Sequence, residues 1–166
     1  VRINRYLKES AIIPALKTHP LYPGDEDVPE EEIARIQEGV IDEFVAVFDD
    51  LRSVSNAKKL REDLLARERR NSTALGRRVA FPHVRSQQAR GFAIAIARSP
   101  SGLPFGALDG QLVNVFVCMI TPPHEDKFFL KVERSLAQAF AQGDFIARIL
   151  EAESPGQIIR LFCQEI

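Results

Sequence analysis

His83, Arg67 and Thr73 are the residues whose types can do chemistry together. A neutral imidazole near pH 7 is a nucleophile, and a phosphoryl group on its nitrogen is reactive enough to be handed on. In-line phosphoryl transfer spreads charge over three equatorial oxygens, so its catalysis is mostly positioning and cationic stabilisation. Arg67 offers such oxygens a planar fork, Thr73 offers a hydroxyl, and Pro82 stiffens the backbone before the histidine. Singly, each residue has a blander default. A histidine after proline is a loop residue, an arginine on a charged helix is a solvated face, and Ser72-Thr73 is a turn or a cap.

The elements that must position these residues can be read from spacing. Ala11, Ile12 and Ile13 before Pro14 suggest a short opening strand, and the acidic, proline-rich residues 19–30 read as a loop. Glu30, Glu31 and Glu32 suit the positive end of a helix. Ile33, Ile36, Val40, Ile41, Phe44, Val47, Phe48 and Leu51 then recur at helical period, which predicts a long amphipathic helix. Ser55 or Asn56 caps a second helix over 57–70, with Leu60, Leu64 and Leu65 inward. The pattern changes at 73–83, where Gly76 and Pro82 fall in a stretch without helical period. Residues 92–97 alternate large and small, as in a strand packed between two layers. Residues 103–105 suggest a short edge strand, Asp109-Gly110 a tight turn, and residues 112–120 a buried central strand ended by Pro122-Pro123. Three helices follow, the last opening on Ser154-Pro155. The expected fold class is α/β (α+β): a mixed sheet of about four to five strands sandwiched by helices, in one domain over 1–166.

Residues 67–83 carry a more specific pattern. Arg67-Glu68, Ser72-Thr73, Gly76, Ala80, Pro82 and His83 stand at the spacing of an R-E pair, S-T, a glycine and A-x-P-H. Phe105-Gly106-Ala107-Leu108-Asp109-Gly110 is similar to an F-x-A-[IL]-D-[GN] turn followed by an apolar strand, a proline and a long helix. In these segments the chain resembles the fructose, mannitol and nitrogen-regulatory type of enzyme IIA of the bacterial sugar phosphotransferase system. The likeness covers roughly residues 55–162, and the preceding part matches only in its order of strand and helix.

That resemblance implies a phosphocarrier. His83 would accept the phosphoryl group and Arg67 would steady it. The donor would be the histidine phosphocarrier protein, and the acceptor an enzyme IIB or, in the nitrogen-regulatory branch, a regulated partner protein. It implies cytoplasmic localisation and no metal or organic cofactor. The chain departs from the family twice. The usual second histidine aligns with Phe129, which also belongs to the apolar stripe of its helix. His124, five residues earlier, sits at the expected helix N-terminus, where an anion is favoured, although a plain surface histidine is the default there. Arg77 and Arg78 stand where the family places small residues, and either bring positive charge to the site or obstruct docking. A non-catalytic interaction module on the same fold is therefore the competing expectation.

Bulk composition bounds these readings. With 166 residues, 45% hydrophobic and 27% charged, the chain has the makings of one globular core. No stretch approaches the roughly 18 apolar residues of a membrane span. Residues 1–10 carry Arg2, Arg5 and Lys8 without the apolar run of a secretory signal, and the opening Val1 leads us to expect a piece of something larger. A net charge of −1 is too balanced for a dedicated nucleic-acid binder, and the basic stretch 52–90 has no aromatic interleaving. Cys118 and Cys163, both in apolar surroundings, are expected as buried free thiols.

Overall fold

The structure is a computed structural model that describes residues 2–22 and 27–166. Pro23 and Gly24 of the expected loop, and the first acidic residues after them, lie outside the described residues.

A six-stranded mixed sheet forms the centre. Its strands are β1 (Ile12–Ile13), β2 (Ala74–Gly76), β3 (Val79–Ala80), β4 (His83–Arg85), β5 (Ala93–Leu103) and β6 (Val113–Thr121). The order is β1-β5-β6-β3-β2, with β4 also on β6. Helices α1 (Glu30–Asp50) and α2 (Ala57–Arg70) follow β1, while α3 (Asp126–Ala141), α4 (Phe145–Glu151) and α5 (Pro155–Glu165) follow β6.

The period-two alternation of β5 explains the layering. Ala95 and Ala97 face the core shared with α1 and α2, whereas Ile94 and Ile96 face the core shared with the last three helices. On β6, Phe116, Cys118 and Ile120 point one way and Val115, Val117 and Met119 the other. Every residue of β6 is buried, which is why residues 115–120 are a continuous apolar run rather than an alternation. Helix ends also follow their sequence signals: the Asn56 side chain accepts from Lys59 N–H at 3.0 Å, and the Ser154 side chain accepts from Gln157 N–H at 3.2 Å.

Three expectations are corrected. Among the described residues the sheet has six strands rather than four or five, because β2, β3 and β4 are only two or three residues long, and β3 and β4 owe their existence to β6, distant in sequence. Leu103 is the last residue of β5, paired with Val113, and not the start of an edge strand. Phe105 beyond it is buried, edge-on to Phe116 at 5.1 Å between ring centroids. Cys118 is buried as expected, but Cys163 is exposed; its helix turns Phe162 inward instead.

The stretch from 79 to 85 is the one that positions His83. Val79 and Ala80 pair in parallel with Val115 and Phe116 of β6, and His83 to Arg85 pair in parallel with Met119 to Thr121. Phe81-Pro82 interrupts what would otherwise be one strand. Proline has no N–H for a ladder, and here Phe81 N–H turns back to donate to Thr73 O at 3.0 Å. The Phe81 carbonyl oxygen meets the His83 ring, 2.7 Å from Nδ1.

Candidate functional site

Among the described strands β4 is bonded only to β6, so His83 lies at an open edge of the sheet. At such an edge, helices from the two opposite layers can both reach one side chain. α2 approaches from one layer and α3 from the other, and a cleft of about 230 Å³ opens between them, lined by Arg67, Arg70, His83, Val84, Arg85, Phe129, Leu130 and Glu133. Ser86 Oγ donates to Asp63 Oδ2 at 2.6 Å, tying the end of β4 to α2.

The His83 ring has one nitrogen spoken for. Nδ1 lies 2.7 Å from Phe81 O. A carbonyl oxygen only accepts, so Nδ1 carries the hydrogen and donates it. Nε2 is then the nitrogen with the free electron pair. One side of the ring is closed by Phe129, 5.4 Å away between centroids with the planes tilted by 42°. Burial holds the imidazole pKa below the usual histidine value of about 6.5. The hydrogen bond to Phe81 opposes that shift, the Arg67 and Arg85 cations add to it, and Glu133 works against it. A neutral ring with an uncommitted lone pair is the form a nucleophile needs.

Arg67 closes the cleft from the last turn of α2. Its Nη1 donates to Asn71 O at 2.9 Å, which satisfies a carbonyl at the helix end and holds the guanidinium at the rim. Glu68, the next residue, points the opposite way and is buried. It accepts from Thr73 N–H and from Thr73 Oγ1–H, both at 2.6 Å. Desolvation raises its pKa above the ordinary carboxylate value, with the two Thr73 bonds opposing the rise. The R-E pair thus has two duties: one residue faces the cleft, the other anchors the loop between α2 and β2.

The remaining expected residues fall elsewhere. Thr73 is buried, and its single hydroxyl hydrogen is committed to Glu68, so it does not reach the cleft. The expected hydroxyl donation to a phosphate is corrected accordingly. His124 is highly exposed, with Nε2 3.7 Å from Glu125 Oε1, and it lines a different cleft with Gln87, Arg90 and Pro123. It is not brought to His83. Phe129 is buried, as its apolar stripe implied, and it is also the residue packed on the His83 ring. Arg77 and Arg78 are the central pair of the two-residue turn joining β2 to β3, both with positive φ (56° and 71°). Arg77 Nη1 reaches Ala141 O at 3.4 Å and Arg78 Nε donates to Asn114 Oδ1 at 2.8 Å, so neither charge faces His83.

Sequence reasoning passed over Glu133, and it counted Arg70 and Arg85 only among the cations of the basic stretch 52–90 without singling them out. A signal for Arg85 did exist: it stands two residues after His83, and on a strand that spacing places both side chains on one face. Among the described residues, no helix is long and apolar enough to cross a membrane, and no group of three or more His, Cys, Asp or Glu is arranged to hold a metal ion.

Comparison with known proteins places this geometry. Residues 26–165 match the family described as "Phosphoenolpyruvate-dependent sugar phosphotransferase system, EIIA 2". The chain is 30% identical over 128 residues to the PTS system fructose-specific EIIABC component of Bacillus subtilis, covering 77% of this chain and only 20% of that protein. The chain therefore spans about one fifth of that relative's length. Among solved structures, nitrogen regulatory protein IIA-Ntr from Neisseria meningitidis superposes with a TM-score of 0.82 at 22% identity, covering 98% of this chain and 99% of that one. Enzyme IIA mannitol of Escherichia coli, in its complex with phosphorylated enzyme IIB mannitol, superposes with a TM-score of 0.74 at 17% identity, covering 95% and 97%.

Proposed function

The chain belongs to the EIIA 2 family of the phosphoenolpyruvate-dependent sugar phosphotransferase system, and from that premise we propose that His83 is its phosphoryl carrier. The observation that carries this reading is the Nδ1–H bond to Phe81 O, which leaves Nε2 as the free nucleophile in an arginine-lined cleft.

In the proposed step, the donor is a phosphorylated histidine of the phosphocarrier protein. The Nε2 electron pair bonds to phosphorus as the donor's P–N bond breaks, and that bond's electron pair stays on the donor nitrogen. The phosphorylated ring keeps its Nδ1 hydrogen, donated to Phe81 O throughout. Arg67 supplies positive charge to the phosphoryl oxygens. The return step passes the group to an enzyme IIB, or the phosphorylated state itself is read by a regulated partner. Neither step needs a metal or organic cofactor, and the same reading places the chain in the cytoplasm. Thr73 and His124 are left out of the reacting set by their positions.

The experiment is intact-mass measurement after incubation with phosphoenolpyruvate, enzyme I and the phosphocarrier protein. One acid-labile phosphate is expected on the wild type and none on His83→Ala. No added mass, under conditions that label another enzyme IIA, rejects the carrier. Phe129 in place of the second histidine favours the alternative, a non-catalytic interaction module; partner capture from which His83→Ala makes no difference, together with no labelling, supports it.

A further inference from the structure

Position 129 lacks an imidazole, yet the cleft is not short of cations. We propose that Arg85 grips the phosphoryl group on His83 from the side where the family's second histidine would stand, with Phe129 as the platform beneath its guanidinium. This inference rests on His83 being the phosphoryl acceptor.

His83 and Arg85 are alternate residues of β4, so the strand itself points both side chains to the same side of the sheet. Both line the one cleft. Phe129 touches both: its ring centroid is 5.4 Å from that of His83 and 6.0 Å from Arg85 Cζ, within reach of a cation–π contact. Asp126 Oδ2, at the first turn of α3, lies 3.5 Å from Arg85 Nη2 and restrains the guanidinium from one side. Platform and carboxylate leave other N–H groups of the fork open, since among the described residues no other hydrogen bond or ion pair occupies it. The side chain is about half exposed, so it can move the short distance needed to meet an incoming group.

The exchange has a chemical consequence. Arginine stays charged at every relevant pH, whereas a second histidine would titrate in the same range as the first. The charges facing His83 are then Arg67 and Arg70 from α2, Arg85 from its own strand, and Glu133 from α3. His83 is the one imidazole in that set. The pH profile of phosphoryl acceptance should therefore show one ionisation between pH 5 and 8, not two.

The test uses potassium phosphoramidate, a small donor that requires no docking partner, on the full chain. His83 labelling is followed by intact mass in the wild type, Arg85→Gln, Arg85→Lys and, as a control away from the cleft, Arg69→Gln. Arg69 pairs with Glu38 of α1. We expect Arg85→Gln to slow labelling by about tenfold or more, Arg85→Lys to recover part of the rate, and Arg69→Gln to match the wild type. In Arg85→Gln, the His83 ring should also titrate at higher pH, because a facing cation has gone. A second reading needs no variant: in the wild type, the Arg85 Nε–H NMR resonance should move on phosphorylation. Labelling of Arg85→Gln at the wild-type rate, or an Arg85 resonance that stays put while His83 is phosphorylated, overturns the inference and leaves His83 as carrier intact. If the wild type takes phosphate neither from phosphoramidate nor from the protein donors, the carrier reading itself fails and this one with it.

Discussion

At the scale of single residues, part-buried His83 and buried Glu68 shift in opposite directions for the same reason, loss of water. His83 is held neutral: its folded pKa lies below the unfolded one. Its contribution to stability is thus fully present above about pH 6.5 and is lost as pH falls toward the folded value, because the unfolded chain binds the proton first. Phosphoryl acceptance follows the same neutral form. It should decline as the solution becomes more acid than the ordinary histidine value, and NMR titration of the ring should place its midpoint below 6.5. A midpoint at or above 6.5 contradicts the burial argument. Glu68 runs the other way, since its folded pKa is raised. Its relative stability is fully present below the unfolded value near 4.5 and is lost as pH rises through the folded value. Chemical denaturation of Glu68→Gln against wild type should therefore show the variant gaining relative stability on going from pH 4 to pH 7.

At the scale of elements, the β2–β3 hairpin shows how much local preference the fold overrides. A two-residue turn with positive φ at both central positions normally takes Asn-Gly, and Arg-Arg carries a backbone penalty of about 1–2 kcal/mol per residue. The offset comes from the neighbours: Arg77 N–H donates to Asp109 Oδ2 at 2.8 Å, and the two guanidinium groups bond to α3 and β6. Asp109 also accepts from Gln111 N–H at 3.0 Å, so the turn before β6 clamps the hairpin that leads to His83. Gly76 completes this arrangement. Its φ is +81°, and a Cβ there would meet Asp109 Oδ2 at 2.8 Å. Gly76→Ala should cost about 2 kcal/mol or more in urea unfolding, from the left-handed backbone and the displaced clamp together. Unchanged stability would show that the clamp matters little. This hairpin is also where sequence was least legible. Its strands are too short to show a period, and β3 is held to the sheet by β6, beyond any local window.

At the scale of the whole molecule, one sheet serves two cores. β5 and β6 send alternate side chains into each, so neither core exists without the other's backbone. We propose on this ground that the chain folds as one cooperative domain. Phe162 of α5 is fully buried among Phe140 and Phe145, remote from α1. Phe162→Ala should lower stability by about 3–5 kcal/mol while the unfolding transition remains single when followed from either face, by hydrogen exchange in α1 and in α5. Separate transitions for the two faces would divide the molecule into two units.

What the sequence determined by itself was whatever depends on neighbours within a few residues: the helices 30–50 and 57–70, a cap at Ser55 or Asn56, the buried strand β6, and the spacing that singled out Arg67 and His83. Tertiary structure decided everything that needs residues from different layers to meet. The broken strand at Phe81-Pro82 chose the nitrogen that stays free on His83. The open sheet edge brought Phe129 and Arg85 against the ring and left His124 outside. Glu68 drew the Thr73 hydroxyl inward. Helical period is written in contiguous residues, whereas strand pairing and side-chain encounter are set by contacts across long loops.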